Sequence, residues 1–365
     1  MRSVLQRIAT GPTMSKDLSR DETRRAMRTV LDGTADPVQA GIFLIALRMK
    51  RETDDELAGI LDAIREGLPE RRLDVDRLVV LADPYDGYLR GVPVAPFLPA
   101  TLAACGLRVL THGVRAMGPK FGATHRQVLE ASGADASTSL DEAARRLESP
   151  DVGWTHVDQA ELAPELAALS ALRTRIVKRP CLTTVEVAVN PFAPRGGSAL
   201  VTGYVHKGYP PVYARLAAAG GFDAATIVRG VEGSVVPSLS QAARYFRAVG
   251  DEEPEQVDIE PGALGIEREE RAVPLPEALA ARAEERVRSV SEAGDGFAEA
   301  LAAEAAAVGR AALDGEAGPA RDSLVYAGAV ALASLGEAGS LGEGAKRVRG
   351  ALDDGSARER FEASP

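Results

Sequence analysis

The segment that follows the apolar run 78–82 holds the first residues that could do chemistry. It reads Asp83-Pro84-Tyr85-Asp86-Gly87-Tyr88. A loop that binds phosphate needs several glycines, because its backbone N–H groups must approach the anion without hindrance from Cβ atoms. Only Gly87 offers such an amide here, Pro84 has none, and the two carboxylates repel phosphate unless a metal ion lies between them. The segment therefore lacks the features of a phosphate-binding loop.

Asp83, Asp86 and Glu232 are the weak candidates for holding a metal ion, because carboxylate oxygens are the ligands that magnesium prefers. The sequence has no Cys/His spacing typical of zinc, no Gly-x-Ser-x-Gly elbow, no Walker loop and no dinucleotide fingerprint. No cofactor is predicted with certainty, and magnesium is expected only if the protein is catalytically active. No residue is assigned as catalytic.

Several other polar residues are predicted to face a ligand, because they follow strands or bracket turns. Lys120 adjoins a Gly-Pro turn and could bind an anion through charge-assisted hydrogen bonds, and Lys207 and a helix N-terminus would face one anion after strand 199–205. For His112 the alternative is a histidine that caps its turn, for Arg115 and Lys120 a solvated basic loop, and for His206 and Lys207 a plain turn. His125 is interpreted as a surface residue at a helix start. The full ligand- and anion-binding set is Tyr85, Asp86, Gly87, His112, Gly113, Arg115, Lys120, Arg179, His206 and Lys207.

A basic run lies within 173–215, a stretch with seven Lys or Arg and a single acid, Glu186. Such runs usually form solvated faces, and the alternative is a patch that binds nucleic acid. The net charge of −10 opposes long polyanions, and 4% aromatic residues leave few platforms on which bases could stack. We therefore favour a small anionic, phosphorylated ligand over nucleic acid. The candidate patch consists of Arg173, Arg175, Lys178 and Arg179.

The composition is that of an ordinary globular protein. The 365 residues are 45% hydrophobic, which is enough for a sizeable core and more than one domain. No apolar run approaches the roughly 20 residues of a membrane span, and residues 1–20 carry charges in place of a signal-peptide core. Cys105 and Cys181 lie among small or apolar residues and are predicted to be buried thiols. The sequence predicts a cytoplasmic protein without membrane association.

The first 67 residues predict four helices. Capping boxes at 19–22 and 53–56 begin two of them, and Asp36 with Pro37 begins a third. The helix over 37–50 is apolar nearly all round, so it needs more partners than one small bundle offers. We expect it to contact the second domain or another subunit, and we predict a helical dimerisation domain over 1–70 and a homodimer.

From residue 78 onward, short β-rich runs alternate with helices. Alternation of this kind predicts parallel strands with helical crossovers, with ligands at the carboxyl ends of the strands. The acidic stretch 251–270 is predicted as a solvated excursion, with a short strand at 257–259 as the alternative, and 277–353 as helix broken at glycines. The α/β domain spans 71–365. The predicted strands are 78–82, 107–111, 154–157, 199–205 and 224–229, and the helices between them are 96–105, 124–132, 139–148, 161–172 and 210–219.

Several stretches together resemble the anthranilate phosphoribosyltransferase family and its nucleoside-phosphorylase relatives, which are transferases of glycosyltransferase family 3. The most specific is Phe43-Leu44-Ile45-Ala46-Leu47-Arg48-Met49-Lys50-Arg51-Glu52-Thr53, and the others are 56–59, 103–109, 112–115, 128–133, 190–191, 326–329 and 340–344. The resemblance covers most of the chain. It implies a small N-terminal helical domain plus a larger α/β domain with a mainly parallel sheet flanked by helices, usually as a homodimer through the helical domain.

The family's substrate-binding motifs are changed in this chain. The segment 83–88 replaces the glycine-rich pyrophosphate loop Gly-Thr-Gly-Gly-Asp, and the segment 93–96 replaces Asn-Ile-Ser-Thr. Val114 stands where the family's His-Gly-Asn-Arg motif has the Asn that touches anthranilate, and Glu232 is the one carboxylate left where an Asp-Glu pair organises magnesium. The basic run lies where the family keeps an arginine that binds the aromatic acid.

The changed motifs resemble an anthranilate phosphoribosyltransferase-like branch, some of whose members bind nucleic acid. That branch also has a Tyr-(Asp/Asn)-Gly loop and a Gly-x-Glu-Gly turn, as at 85–87 and 230–233 here. The resemblance implies a family protein that binds an anionic ligand in the interdomain cleft with weak or no anthranilate phosphoribosyl transfer. The alternatives are an active phosphoribosyltransferase with a different acceptor and a nucleic-acid-binding relative without enzymatic activity.

Overall fold

The computed structural model describes residues 1–11, 13–288 and 294–364. Its α-helices are α1 (Arg2–Ile8), α2 (Arg20–Leu31), α3 (Pro37–Lys50), α4 (Asp54–Glu66), α5 (Leu98–Ala104), α6 (His125–Ala131), α7 (Leu140–Glu148), α8 (Gln159–Leu162), α9 (Pro164–Ala167), α10 (Ser170–Ile176), α11 (Leu182–Val185), α12 (Tyr209–Ala219), α13 (Glu277–Arg288), α14 (Phe297–Leu313), α15 (Pro319–Ser334), α16 (Leu341–Asp353) and α17 (Ser356–Glu362). Its strands are β1 (Arg71–Leu73), β2 (Leu78–Ala82), β3 (Val109–Gly113), β4 (Trp154–Asp158), β5 (Phe192–Pro194), β6 (Ser198–Gly203), β7 (Ala224–Val228), β8 (Ala243–Val249) and β9 (Glu255–Ile259).

Side-chain caps set the starts of the N-terminal helices. Ser19 and Thr53 each accept a hydrogen bond from the N–H three residues on, and the glutamate at that position accepts from the backbone of the cap. Asp36 accepts from the N–H groups of two residues in the first turn of α3, which Pro37 begins. These contacts satisfy N–H groups that have no partner inside the helix. The four predicted helices are present.

The main sheet has the strand order β4-β3-β2-β6-β7-β8-β9. The first five strands are parallel, whereas β8 pairs antiparallel with β7 and with β9. The chain runs outward from β2 through β3 to β4, then returns to the other side of β2 with β6. This reversal creates a crevice outside the carboxyl ends of β2 and β6, where ligands bind in open α/β sheets.

Each face of the sheet packs against its own apolar core. Val79 and Leu81 of β2 face a core built with α5, α6 and α14–α17. Leu78 and Val80 face a second core, which includes the N-terminal helices and helices α7 to α12. Alternate residues of a strand point to opposite faces, and each buried face needs a cover. The N-terminal helices therefore share one continuous core with the sheet.

Two of the predicted elements differ in the structure, and part of a third lies outside the described residues. The predicted helix 161–172 is three short helices, α8 to α10, because Ala163 (φ −147°) precedes Pro164 and leaves the helical region. The acidic excursion 251–270 contains edge strand β9, which is longer than the short strand considered at 257–259 because pairing with β8 extends it. Part of the predicted helical stretch 277–353 lies at 289–293, outside the described residues. No helix in the described ranges is long and apolar enough to cross a bilayer.

Candidate functional site

A cleft of about 530 Å³ lies at the crevice where the strand order reverses. The segments that follow β2 and β6 form two of its walls, and residues of α3, α11 and α12 form another. Polar residues of the lining are Arg48, Asp83, Tyr85, Asp86, Arg90, Lys120, Arg179, Thr183, Thr184, Thr202, Tyr204, His206, Tyr209, Tyr213, Glu232 and Arg286. Parallel strands thus bring together residues from distant parts of the chain, as the sequence predicted for this edge of the sheet.

Internal hydrogen bonds hold the segment 83–88 in place. Asp83 is 4% exposed, and its carboxylate accepts hydrogen bonds from the Tyr88 hydroxyl and from the Val235 N–H (3.3 Å). Gly87 has φ +74°, and a Cβ there would lie 2.5 Å from the carbonyl oxygen of Gly122. Its N–H donates to the Pro84 carbonyl at 3.1 Å, so the one amide predicted to be free for phosphate closes a turn instead.

Asp86 and Arg179 form an ion pair inside the cleft. The Nε and Nη2 atoms of Arg179 donate to one carboxylate oxygen of Asp86 at 2.8 and 2.6 Å. The Asp86 side chain is 7% exposed, whereas that of Arg179 is 46% exposed. The structure therefore brings these two predicted ligand-binding residues together as partners of each other, with part of the guanidinium still open to the cleft.

Glu232 and Lys120 form a second ion pair, 2.8 Å apart, both largely buried. Lys120 also donates to the Gly87 carbonyl at 2.6 Å. The Glu232 carboxylate accepts from the Arg90 N–H at 2.6 Å, and Glu232 itself has φ +56°, which is rare for a residue with a side chain. Lys120 therefore ties the 83–88 segment to the turn at 231–233 and has few donors left for a ligand.

The three carboxylates considered as metal ligands do not form a magnesium site. Asp83 is satisfied by a hydroxyl and an amide, Asp86 by Arg179, and Glu232 by Lys120 and backbone amides. Among the described residues, no group of three His, Cys, Asp or Glu side chains could hold a metal ion. Magnesium prefers several oxygen ligands in octahedral geometry, and here cations and N–H groups occupy those oxygens.

His112 and Gly113 lie behind the cleft, at the end of β3. His112 is 2% exposed, its Nδ1 pairs with the Tyr85 hydroxyl, and its buried Nε2 has no partner among the described residues. Burial, together with nearby His125, lowers the pKa of His112 to about 4. Tyr85 thus separates the imidazole from the cleft. His125 is itself 5% exposed and its ring stacks on His156, so its prediction as a surface residue was wrong.

Arg173 and Glu186 form a buried pair near Tyr85. Two nitrogens of Arg173 donate to the two carboxylate oxygens of Glu186 at 2.5 and 2.9 Å, and both side chains are at most 2% exposed. Arg173 therefore cannot belong to a surface that binds nucleic acid, because its charge is committed inside the protein. Arg175 and Lys178 remain exposed at the end of α10.

Three further predicted residues are exposed, in other surroundings than expected. The Arg115 side chain is 55% exposed, pairs with Glu130 at 3.2 Å and does not line the cleft. His206 lines the cleft and Lys207 is exposed beside it, but the following helix α12 has proline at its second and third positions. Because proline has no N–H, this helix N-terminus offers fewer donors to an anion than the sequence analysis assumed.

One wall of the cleft is polar and aromatic, and its Arg48 was not predicted as a residue of the site. The Arg48 guanidinium lies 5.5 Å from the ring centre of Tyr209 and donates to the Thr184 hydroxyl at 3.3 Å. The Tyr209 ring also contacts that of Tyr213. Arg48 and Lys50 are the charged residues of the largely apolar helix α3, and a charge in such a helix was the signal that could have marked Arg48 as a residue of the site.

The fold and the position of the cleft define an α/β protein with an N-terminal helical bundle. Residues 2–67 match the family model for the glycosyl transferase family, helical bundle domain. The anthranilate phosphoribosyltransferase of Sphingopyxis alaskensis is 30% identical over 353 residues, which cover 97% of each chain. The chain belongs to the anthranilate phosphoribosyltransferase family, as the sequence resemblance predicted.

Solved structures of the same family have the same fold. Anthranilate phosphoribosyltransferase from Thermus thermophilus is 21% identical with a TM-score of 0.72, and the match covers 100% of this chain and 98% of that one. The enzyme from Saccharomyces cerevisiae in complex with PRPP and Mg is 17% identical with a TM-score of 0.74, over 99% and 95% of the two chains. These likenesses confirm the predicted fold class.

Proposed function

We propose that the protein binds an anionic, phosphorylated ligand in the cleft and catalyses anthranilate phosphoribosyl transfer weakly or not at all. One observation carries the first part: five cationic side chains and three carboxylates line the cleft of a chain whose net charge is −10. Arg48 and Arg286 pair with Glu52 and Asp295 outside the lining, so the open positive charge is that of Arg90 and the partly exposed Arg179. Such charge attracts an anion over about a Debye length, roughly 8 Å at physiological salt. The partly open Arg179 of the lining and the exposed Lys207, which follows the lining residue His206 in the chain, are the expected contacts.

The loss of transfer is argued from the charges that this reaction needs. A departing pyrophosphate requires preorganised donors or metal ions at the developing negative charge. The amide of Gly87 closes a turn, and Asp86 and Glu232 each pair with a cation of the protein. Arg173, in the run where the family binds its aromatic acid, already has a buried carboxylate partner in Glu186. Both substrates would therefore lack the contacts that the reaction uses.

The first prediction separates binding from turnover. With anthranilate, phosphoribosyl pyrophosphate and magnesium, the purified protein should be at least about 10²-fold slower than the S. alaskensis enzyme, since losing one such electrostatic contact typically costs that much. Calorimetry should still detect binding of phosphoribosyl pyrophosphate, weakened by Lys207→Gln. Lys346→Gln, which changes another exposed lysine on α16, is the matched control and should bind as the wild type does.

Complementation of a tryptophan auxotroph at ordinary expression would contradict the absence of transfer. Release of pyrophosphate with another acceptor would instead favour the alternative of an active phosphoribosyltransferase of different specificity. If calorimetry detects no binding of phosphoribosyl pyrophosphate, the proposal of an anion site in the cleft is contradicted. Lys120→Ala is a poor probe, because Lys120 holds the Glu232 turn as well as lining the cleft.

We also propose a homodimer through helix α3. Val38 (66% exposed), Ile42 (40%) and Met49 (76%) are large apolar side chains on the surface of this helix. Their spacing places them on one face, because residues four and seven apart lie on the same side of a helix. A contiguous apolar stripe of this kind marks an interaction site. Phe43, by contrast, is fully buried within the chain.

The second prediction tests this interface with Ile42→Asp. A carboxylate buried in an apolar interface lacks a partner, so the variant should be a folded monomer at micromolar concentration while the wild type is a dimer. Light-scattering mass with circular dichroism measures both properties. Val249→Asp makes the same kind of change at an exposed apolar residue (44%) of the antiparallel strand β8, and it should remain dimeric. A wild-type monomer would refute the dimer.

A further inference from the structure

A second cavity, of about 460 Å³, lies on the other side of the Glu232 turn from the cleft. It shares Arg90, Tyr204, Val205 and Glu232 with the cleft, but most of its lining comes from 229–232 and 270–274. Three arginines line it: Arg90, Arg229 and Arg271. All three are exposed, and they come from three segments that are far apart in the chain. We refer to it as the arginine cavity.

Hydrogen bonds join the three segments that carry these arginines. The Arg90 N–H donates to Glu232 at 2.6 Å, which joins the segment after β2 to the turn after β7. The Val92 N–H donates to the Val273 carbonyl at 3.0 Å, and the Leu239 N–H donates to the Arg271 carbonyl at 3.0 Å. The backbone around the cavity is therefore cross-linked on every side. The arginines converge because the fold holds their segments together.

Acidic side chains of the described residues do not balance the charges of the cavity. Among the described residues, none of the three arginines forms an ion pair, whereas nearby Arg244 pairs with Asp258. Of the two acids in the lining, Glu232 is already committed to Lys120 and the backbone, which leaves Glu270. Cations held close together repel one another unless an anion lies between them. A guanidinium fits phosphate particularly well, because its planar fork donates two parallel hydrogen bonds.

We infer that the arginine cavity binds a small phosphate-bearing anion, with Arg229 and Arg271 as its main ligands and Arg90 between it and the cleft. This site is separate from the one proposed above, because neither Arg229 nor Arg271 lines the cleft. It lies outside the carboxyl end of β7, the same edge of the sheet as the cleft. Pyrophosphate is a suitable probe, since it carries the charge and geometry of the ligand class without a sugar or base.

Calorimetry with pyrophosphate on the full chain tests this inference. The double variant Arg229→Gln/Arg271→Gln should bind at least about tenfold more weakly than the wild type, because two charge-assisted contacts are lost. Arg244→Gln, which changes a partly exposed arginine outside the cavity, should leave that affinity unchanged. Urea midpoints close to that of the wild type establish that each variant is folded.

Equal pyrophosphate affinity in the wild type and the double variant overturns the inference, as does no binding to the wild type. Loss of binding with Lys207→Gln alone also overturns it, while supporting the cleft proposal. Conversely, the double variant should retain the binding of phosphoribosyl pyrophosphate that Lys207→Gln weakens, so the two proposals fail separately. A single-stranded oligonucleotide that binds to Arg229 and Arg271 and is not displaced by pyrophosphate would show that the cavity takes nucleic acid instead.

Discussion

Replacing Glu186 with alanine is expected to lower the free energy of unfolding by about 3–5 kcal/mol, because it leaves the buried Arg173 guanidinium without a counter-ion. Arg173 makes two charge-assisted hydrogen bonds to Glu186, and both side chains are shielded from water. Urea unfolding followed by circular dichroism measures the loss. As the control, Asp21→Ala breaks the exposed ion pairs with Arg24 and Arg25, and it should lower the free energy of unfolding much less than Glu186→Ala does.

Small carboxylates should partly restore the Glu186→Ala variant. Acetate or formate that enters the vacated space binds only the folded chain, so it raises the unfolding midpoint with concentration. Chloride at equal ionic strength should not do so. Glu186→Gln keeps the side-chain volume and provides a second test if the alanine variant fails to fold. An unfolding free energy within about 1 kcal/mol of the wild type in both variants would contradict the importance of this pair.

The protein is also expected to lose stability between pH 6.5 and pH 4. Burial lowers the pKa of His112 from 6.5 to about 4 and that of His156 well below 6.5. As the pH falls through this window, these histidines bind protons in the unfolded chain but stay neutral in the folded chain, which shifts the equilibrium toward unfolding. Above pH 6.5 the two histidines are neutral in both the folded and the unfolded chain, and their contribution to the free energy of unfolding is fully present. Each pKa unit corresponds to about 1.4 kcal/mol, so His112 alone contributes on the order of 3 kcal/mol.

Unfolding measured across this pH range in wild type and His112→Gln checks the prediction. The variant removes one titrating group, so its stability should fall less steeply with acid, whatever its stability at neutral pH. His206→Gln changes an exposed histidine and should follow the wild-type slope. Parallel slopes for wild type and His112→Gln would show that His112 does not titrate in this way.

Local sequence signals predicted much of the fold. The capping residues Ser19, Asp36 and Thr53 set helix starts through contacts within four positions, so they can be recognised without tertiary structure. Apolar runs such as 78–82 likewise identify buried parallel strands. The antiparallel strand β8 escaped prediction because Arg244 and Arg247 are three positions apart and interrupt an alternating pattern, whereas pairing with β7 and β9 forms the strand.

The candidate site was harder to predict, because its chemistry depends on partners that are distant in the chain. The sequence marked Asp86 and Arg179 as ligand contacts, yet 93 positions apart they pair with each other. Arg173 looked like part of a surface run until the fold buried it against Glu186. The type of a residue indicates what it can bind, but only tertiary structure shows which charges remain available. The sequence did not predict Arg229 and Arg271 as ligand-binding residues, because neither lies in a motif.

The C-terminal helix α17 docks against the sheet through the only tryptophan of the chain. Trp154 of β4 is 1% exposed, its ring stacks on Phe361 at 5.5 Å, and its indole N–H donates to the Arg360 carbonyl at 2.9 Å. Intrinsic tryptophan emission therefore comes from one place, the contact between β4 and α17. Undocking of α17 would shift the tryptophan emission to longer wavelength. Unfolding confined to the N-terminal helices would leave that emission unchanged. The fluorescence of Trp154 therefore reports on the structure at the β4 edge of the sheet.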